Sequence, residues 1–406
     1  AINPDANATS LVSTPDAIRQ VFAWYNANGG STLPFQRQPS IPGVSPRIGK
    51  DLTSPNVLEY AGGVNRQFGN RAAVRADVVY RTYRDFYIQR TDLSTGQVTD
   101  PVGNRIDLSV VENDTGGLLK RRYAGLTSQA TYRIGARTDL GATWTLSHAW
   151  GNYNGETVAG GPTAPDLLSY PEYRQAAWNA PVGDLQIDQR HRARFWINYG
   201  MPRVNGLMVS LLQTLDSGVP FGANNYINTN TANGVDPSRY VANPGYLTPP
   251  DGSVIYYNYP VNCASVPASP SYLRDNCRGG ARPDAFRLEG QVRTDLALNY
   301  SRRVPMGRTR VEFFGQFHVV NLFNQFQICG CGGTVFQNGG TVTQTRVDQT
   351  VRNAVSTPAS YQPFNPFTTS PAQGANWDYG PRFGQPLNRL AYTTPRQMRV
   401  SFGVRF

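Results

Sequence analysis

The closing stretch, Pro395 to Phe406 (PRQMRVSFGVRF), alternates with period two. Met398, Val400, Phe402, Val404 and Phe406 fall on one side of an extended strand. Gln397, Arg399, Ser401, Gly403 and Arg405 fall on the other. Successive strand side chains point to opposite faces, so this segment has one apolar face and one polar, cationic face. The edge of a soluble sandwich would show such a strand once. Here the pattern recurs along the chain, and the turns between repeats are alternately short and very long. Strands of roughly ten residues joined in that way are the signature of an antiparallel transmembrane β-barrel.

Read in order, the pattern predicts strands over 57–68, 72–86, 122–134, 140–150, 192–199, 207–215, 287–301, 311–323 and 395–406. Residues 1–56 carry no sustained alternation and read as an extracellular loop segment, with a short helix at Asp16 to Trp24. Residues 57–406 form the barrel region. Charge segregates by face in four windows of these strands. Arg75, Asp77, Arg81, Arg192, Arg194, Arg287, Glu289, Arg293, Asp295, Arg399 and Arg405 all oppose the apolar side chains. An arginine facing lipid at the midplane costs about 2–4 kcal/mol, which enforces such sorting. Tyr80, Tyr199, Tyr300 and Phe406 fall near strand ends, where aromatic girdles sit.

Composition agrees with strands that face a wet interior. Hydrophobic residues make up 39% of the 406, mean hydropathy is −0.43, and no window approaches the ~18 apolar residues of a membrane helix. The net charge of +11 is almost all arginine, with Lys50 and Lys120 the only lysines. These cations are spread along strands and loops with no basic run of five or more, unlike the cluster of a nucleic-acid binder. A charged lumen and loops lying against anionic lipopolysaccharide account for them. The opening AINPDANATS has neither the basic start nor the apolar core of an export signal.

Nine strands is an odd number, whereas bacterial single-chain barrels close with an even one. The expectation is at least one further strand upstream. Four stretches carry a resemblance: DTGGLLKRRYAGL (Asp114 to Leu126), DQRHRARFWINYGMP (Asp188 to Pro202), FHVVNLFNQF (Phe317 to Phe326) and the closing PRQMRVSFGVRF. With these the chain resembles the C-terminal barrel region of TonB-dependent outer-membrane receptors, in particular the Oar-like branch. The resemblance implies about nine strands of a larger, 22-stranded barrel in the outer membrane of a Gram-negative bacterium. It also implies import of a large substrate, with the TonB complex engaged through a plug and N-terminal segment that this sequence does not contain.

Several residues stand out as candidate sites. Cys263 and Cys277 lie in one long loop at a spacing that favours a mutual disulfide, while Cys329 and Cys331 form either a local disulfide or a thiol pair. Inward Arg75, Asp77, Arg293 and Asp295 read equally as contacts to a plug or substrate and as cross-strand charge pairs. Arg399, Ser401, Val404 and Phe406 match the terminal pattern recognised by barrel-assembly machinery. His148, His191 and His318 stand on separate strands without metal-ligand spacing, and no nucleophile elbow, Walker loop or HExxH helix is present. No cofactor and no enzymatic chemistry are expected. The alternative from another class is a secreted all-β domain that binds or hydrolyses carbohydrate, using Tyr- and Asn-rich loops for sugar stacking.

Overall fold

The computed structural model describes residues 14–30, 47–49, 51–91, 97–99, 105–107, 109–154, 181–228, 254–306, 309–329, 335–337, 340–342, 347–353, 361–362 and 370–406. Its centre is an antiparallel meander of β1 (Asn56–Phe68), β2 (Ala72–Arg84), β3 (Arg121–Ile134), β4 (Thr138–Gly151), β5 (His191–Gly200), β6 (Leu207–Asp216), β7 (Gln291–Met306), β8 (Thr309–Val320) and β9 (Gln397–Arg405). Each strand pairs with its sequence neighbours, in the order β1 to β9, and Gly183–Asp184 adds a short tenth strand beside β4. Among the described residues β1 and β9 do not pair with each other, so the sheet is a wall with two free edges.

Tight turns join β1 to β2, β3 to β4 and β5 to β6, and a glycine supplies the positive φ in each, Gly69 (φ 56°), Gly135 (φ 69°) and Gly206 (φ 88°). At the opposite end lie the long connections. That end is the extracellular one in outer-membrane barrels.

Register settles the faces. Val64, Ala76, Ser128, Trp144, Ala193 and Leu215 stand opposite one another along one row of the outer face. The neighbouring inner row runs Asn65, Arg75, Gln129, Thr143, Arg194, Thr214 and Arg293. The outer face of β9 is fully presented, with Val400 70% and Phe402 87% exposed. Four arginines do share the apolar face, Arg66, Arg84, Arg122 and Arg302, opposite Val74, Asn56, Trp150 and Phe313. All four lie toward strand ends, where a long side chain reaches the interface.

Three strand boundaries differ from the expectation where one backbone angle turns the chain. β2 stops at Arg84, because Asp85 takes a left-handed conformation (φ 57°) and the chain turns into a separate strand, Tyr87–Thr91. The seventh strand begins at Gln291 and not at 287. Gly290 (φ 95°) breaks it, and a Cβ there would come within 2.4 Å of the Asp216 carbonyl oxygen. Arg287 and Glu289 therefore do not belong to the barrel wall. Asn321 (φ 56°) likewise ends β8 at Val320. In the first segment a helix, α1 (Thr14–Ala27), spans more than the expected Asp16 to Trp24.

The long connections after β6 and β8 fold together into a cap with its own core. Phe221, Tyr259, Leu273, Phe286, Val347, Trp377 and Phe383 are among its buried side chains. Short strand pairs frame it: Pro220–Phe221 with Phe286–Arg287, Pro260–Val261 with Gly280–Ala281, and Val351–Asn353 with Trp377–Tyr379. A smaller cluster of Phe86, Ile88, Leu119 and Tyr153 packs the connections after β2 and β4.

Candidate functional site

The lumen face carries the residues that the sequence singles out. Arg75 Nε donates to Asp77 at 2.6 Å, and Arg293 to Asp295 at 3.1 Å. Each pair lies along its own strand, two residues apart, and not across strands as one of the two sequence readings has it. Cross-strand pairs do occur beside them: Arg194 grips Asp216 with two bonds of 2.7 and 2.9 Å, and Arg81 contacts Glu59. Arg75 and Arg293 share the same inner row but have four strands between them, so the two pairs belong to one polar band and not to one compact site. Gly141 sits in the adjoining register so that the Trp196 indole lies over it; a Cβ there would be 2.2 Å from the ring.

Where wall and cap meet, three carboxylates are buried and surrounded by guanidinium groups. Asp184 accepts from His148 (2.9 Å), Arg190 (2.8 Å), Arg278 (2.7 Å) and Arg287 (2.6 Å). Asp188 accepts from the Ala149 amide at 2.7 Å, from Arg190 at 3.0 Å and from Arg287. Asp284 accepts from Arg278 and Arg282, each at 2.8 Å. Burial pushes the Asp184 carboxyl up, but the bonds from Arg287, His148 and Arg190 outweigh it and hold the group well below the usual carboxylate range. The arrangement locks the cap to the strand ends. Asp188, Arg190 and His191 are part of this entry to β5.

Cys263 and Cys277 are bonded, with Cα atoms 5.8 Å apart, and they fasten the cap segment that packs over Leu273. Cys329 is buried and is not a free thiol, while Cys331 lies outside the described residues. An open cleft of about 540 Å³ lies on the cap between Pro260–Ser265 and Pro371–Asp378. Across it, Ser265 Oγ donates to Gln373 at 2.5 Å, and Gln373 Nε2 donates to Asp378 at 2.9 Å. Amide, hydroxyl and carboxylate groups in such a cleft suit a polar ligand. At the terminus, Arg399 and Ser401 take the inner face opposite His318 and Gln316. Val404 and Phe406 belong to the outer side, the latter 99% exposed.

Sequence reasoning missed the junction, since Asp184, Asp284, Arg278 and Arg282 sat in what read as loop. The signal was there in RGGARPDAFR (Arg278 to Arg287), an unusually dense charge run for a linker.

Residues 2–354 match the model of a family described as an outer membrane beta barrel domain. The chain belongs to that family. This outer membrane β-barrel chain is therefore located in the outer membrane, which sets aside the secreted carbohydrate-binding alternative. No curated protein shares detectable sequence similarity with it. Among solved structures, the outer membrane transporter YddB from Escherichia coli is similar at a TM-score of 0.36 and 12% identity, over 72% of this chain and 31% of that one. The chain thus spans less than a third of that transporter's length.

Proposed function

We propose that this chain is the C-terminal wall of a TonB-dependent receptor of the Oar-like branch, working within a 22-stranded barrel that imports a large substrate. The observation that carries the reading is the polar band from Arg75 to Arg293 on the inner face, with arginines among Gln129, Thr143 and Thr214, beneath a cap with a packed core and a polar cleft. A charged wall supplies many weak, exchangeable contacts to a plug or passing polymer. The cap supplies a rigid outer surface on which a ligand can be captured. In this reading the residues bind and conduct, without covalent chemistry. Arg399, Ser401, Val404 and Phe406 serve as the terminal signal for barrel assembly.

The test uses the full-length parent, solubilised from outer membranes and passed over an immobilised TonB periplasmic domain. Retention that is strengthened by ligand supports the receptor reading. A full-length protein that carries no plug and is not retained sinks it.

A further inference from the structure

On the nine strands, four Tyr, Phe or Trp side chains fall on the inner face: Tyr83, Tyr123, Trp196 and Phe314. Three of these rings are covered. The guanidinium of Arg121 lies 4.8 Å from the Tyr83 centroid, that of Arg81 5.8 Å from Tyr123, and that of Arg405 4.6 Å from Phe314. Trp196 is the exception. Among the described residues no guanidinium lies over it, and its indole N–H has no acceptor. A ring that keeps an open face and an unmet donor is an amphipathic platform.

The wall shapes the ground around that ring. Gly141 is its register partner on β4, and a Cβ there would come within 2.2 Å of the indole, so the ring lies over the strand backbone. Beyond Gly141 the same row continues with Thr131 and Ala73, whose small side chains keep the wall low on that side. In the adjoining inner row toward the tight turns, Asn198 and Asp139 are register partners, and Asn198 Nδ2 donates to Asp139 at 2.8 Å. The second carboxylate oxygen of Asp139 has no partner among the described residues. A ring, a free donor and a free acceptor thus stand within two adjoining rows.

That set selects among ligands. An apolar chain would leave the indole N–H and the carboxylate oxygen unmet, and an anion would be repelled by Asp139. A pyranose satisfies all three groups: its face of C–H groups packs on the indole, and its hydroxyls both donate and accept. We propose that Trp196, with Asp139 and Asn198, is a subsite for one neutral sugar unit in the lumen. The proposal rests on the reading that a large substrate passes this wall, and it names that substrate as a glycan.

The test takes protein solubilised from outer membranes, reads only folded, heat-modifiable barrel, and titrates it with neutral hexasaccharides of glucose, mannose, galactose and xylose and with uncharged hexapeptides. Wild type should hold at least one hexasaccharide in preference to the peptides. Trp196→Ala should weaken that binding about tenfold. Trp196→Phe, which keeps a ring without the N–H, should fall between the two, and Asp139→Ala should weaken binding in the same direction. Phe314→Leu, at a ring already covered by Arg405, should leave it unchanged. If Trp196 only shields Gly141, Trp196→Ala will hold the sugar as tightly as wild type, and the proposal is overturned. Retention of no hexasaccharide, equal binding of the peptides or an equal loss in Phe314→Leu would overturn it too. No TonB enters this titration, so protein that binds sugar but not TonB keeps the site and loses the receptor reading, and the converse result does the reverse.

Discussion

Arg287 Nη2 donates to Asp184 at 2.6 Å and also contacts Asp188, although Arg287 belongs to the cap and both aspartates to the edge of the wall. One guanidinium therefore joins two structural units. Its side chain is 12% exposed, and those of the aspartates 5% and 0%. Removing the guanidinium leaves Asp184 with His148, Arg190 and Arg278, and Asp188 with Arg190 and the Ala149 amide, so the cost falls below the roughly 3–5 kcal/mol of a buried charge left wholly unpaired. Arg287→Ala should lower the thermal midpoint of the protein and open the cap to protease near residues 278–288, while the wall keeps its strands. Unchanged protease resistance of that segment would show that the cap is held by its apolar core alone.

The same junction sets a pH dependence. Asp184 has its carboxyl depressed in the folded protein by Arg287, His148 and Arg190 acting against burial. A group depressed on folding contributes stability that is complete above its unfolded value, near ~3.9 for aspartate, and is lost as pH falls through the folded value. The cap should thus be equally protected at pH 7 and pH 5 and loosen below about pH 4. Hydrogen exchange of residues 278–288 across that range measures it. Asp184→Asn should be looser at neutral pH and show a flatter profile.

Much of the wall was legible because the physics that forms it is local. Face alternation and tight turns place nine strands close to where they lie, and cost of charge in lipid sorts Arg75, Asp77, Arg293 and Arg399 to one side. Where the reading slipped, one backbone angle decided. FRLEGQV alternates as well as any strand, yet Gly290 turns the chain, and Arg287 and Glu289 end in the cap, with Glu289 accepting from the Ile328 amide at 2.7 Å. The cap core was not legible at all. Phe221, Tyr259, Phe286, Trp377 and Phe383 come from two connections far apart in sequence, and they follow no period.

The disulfide offers a separable test of that cap. Cys263 and Cys277 close a loop with a sequence separation of 14, a constraint on the unfolded chain that stabilises by about 3 kcal/mol. Replacing both with serine should speed proteolysis between residues 260 and 285. Heat-modifiable mobility, which reports the barrel, should not change. Loss of that mobility would mean the cap is required to assemble the wall.

The last prediction concerns which side of the wall meets lipid, and it needs only adjacent residues of one strand. Phe402 stands opposite Gly315 on the outer face of β9 and is 87% exposed, while Ser401 stands opposite Gln316 on the inner face. Both positions accept an arginine sterically, since neither side chain is buried. They differ in what the guanidinium would meet. On the outer face it would enter hydrocarbon, costing about 2–4 kcal/mol near the midplane and less toward the interface. On the inner face it would join Arg399 and Arg405 in a polar lumen. Phe402→Arg should therefore reduce the folded, heat-modifiable protein recovered from outer membranes, and Ser401→Arg should leave it near wild type. The reverse order would mean that the apolar face of β9 looks inward, and that the face assignment of the entire meander is inverted, because register links all nine strands.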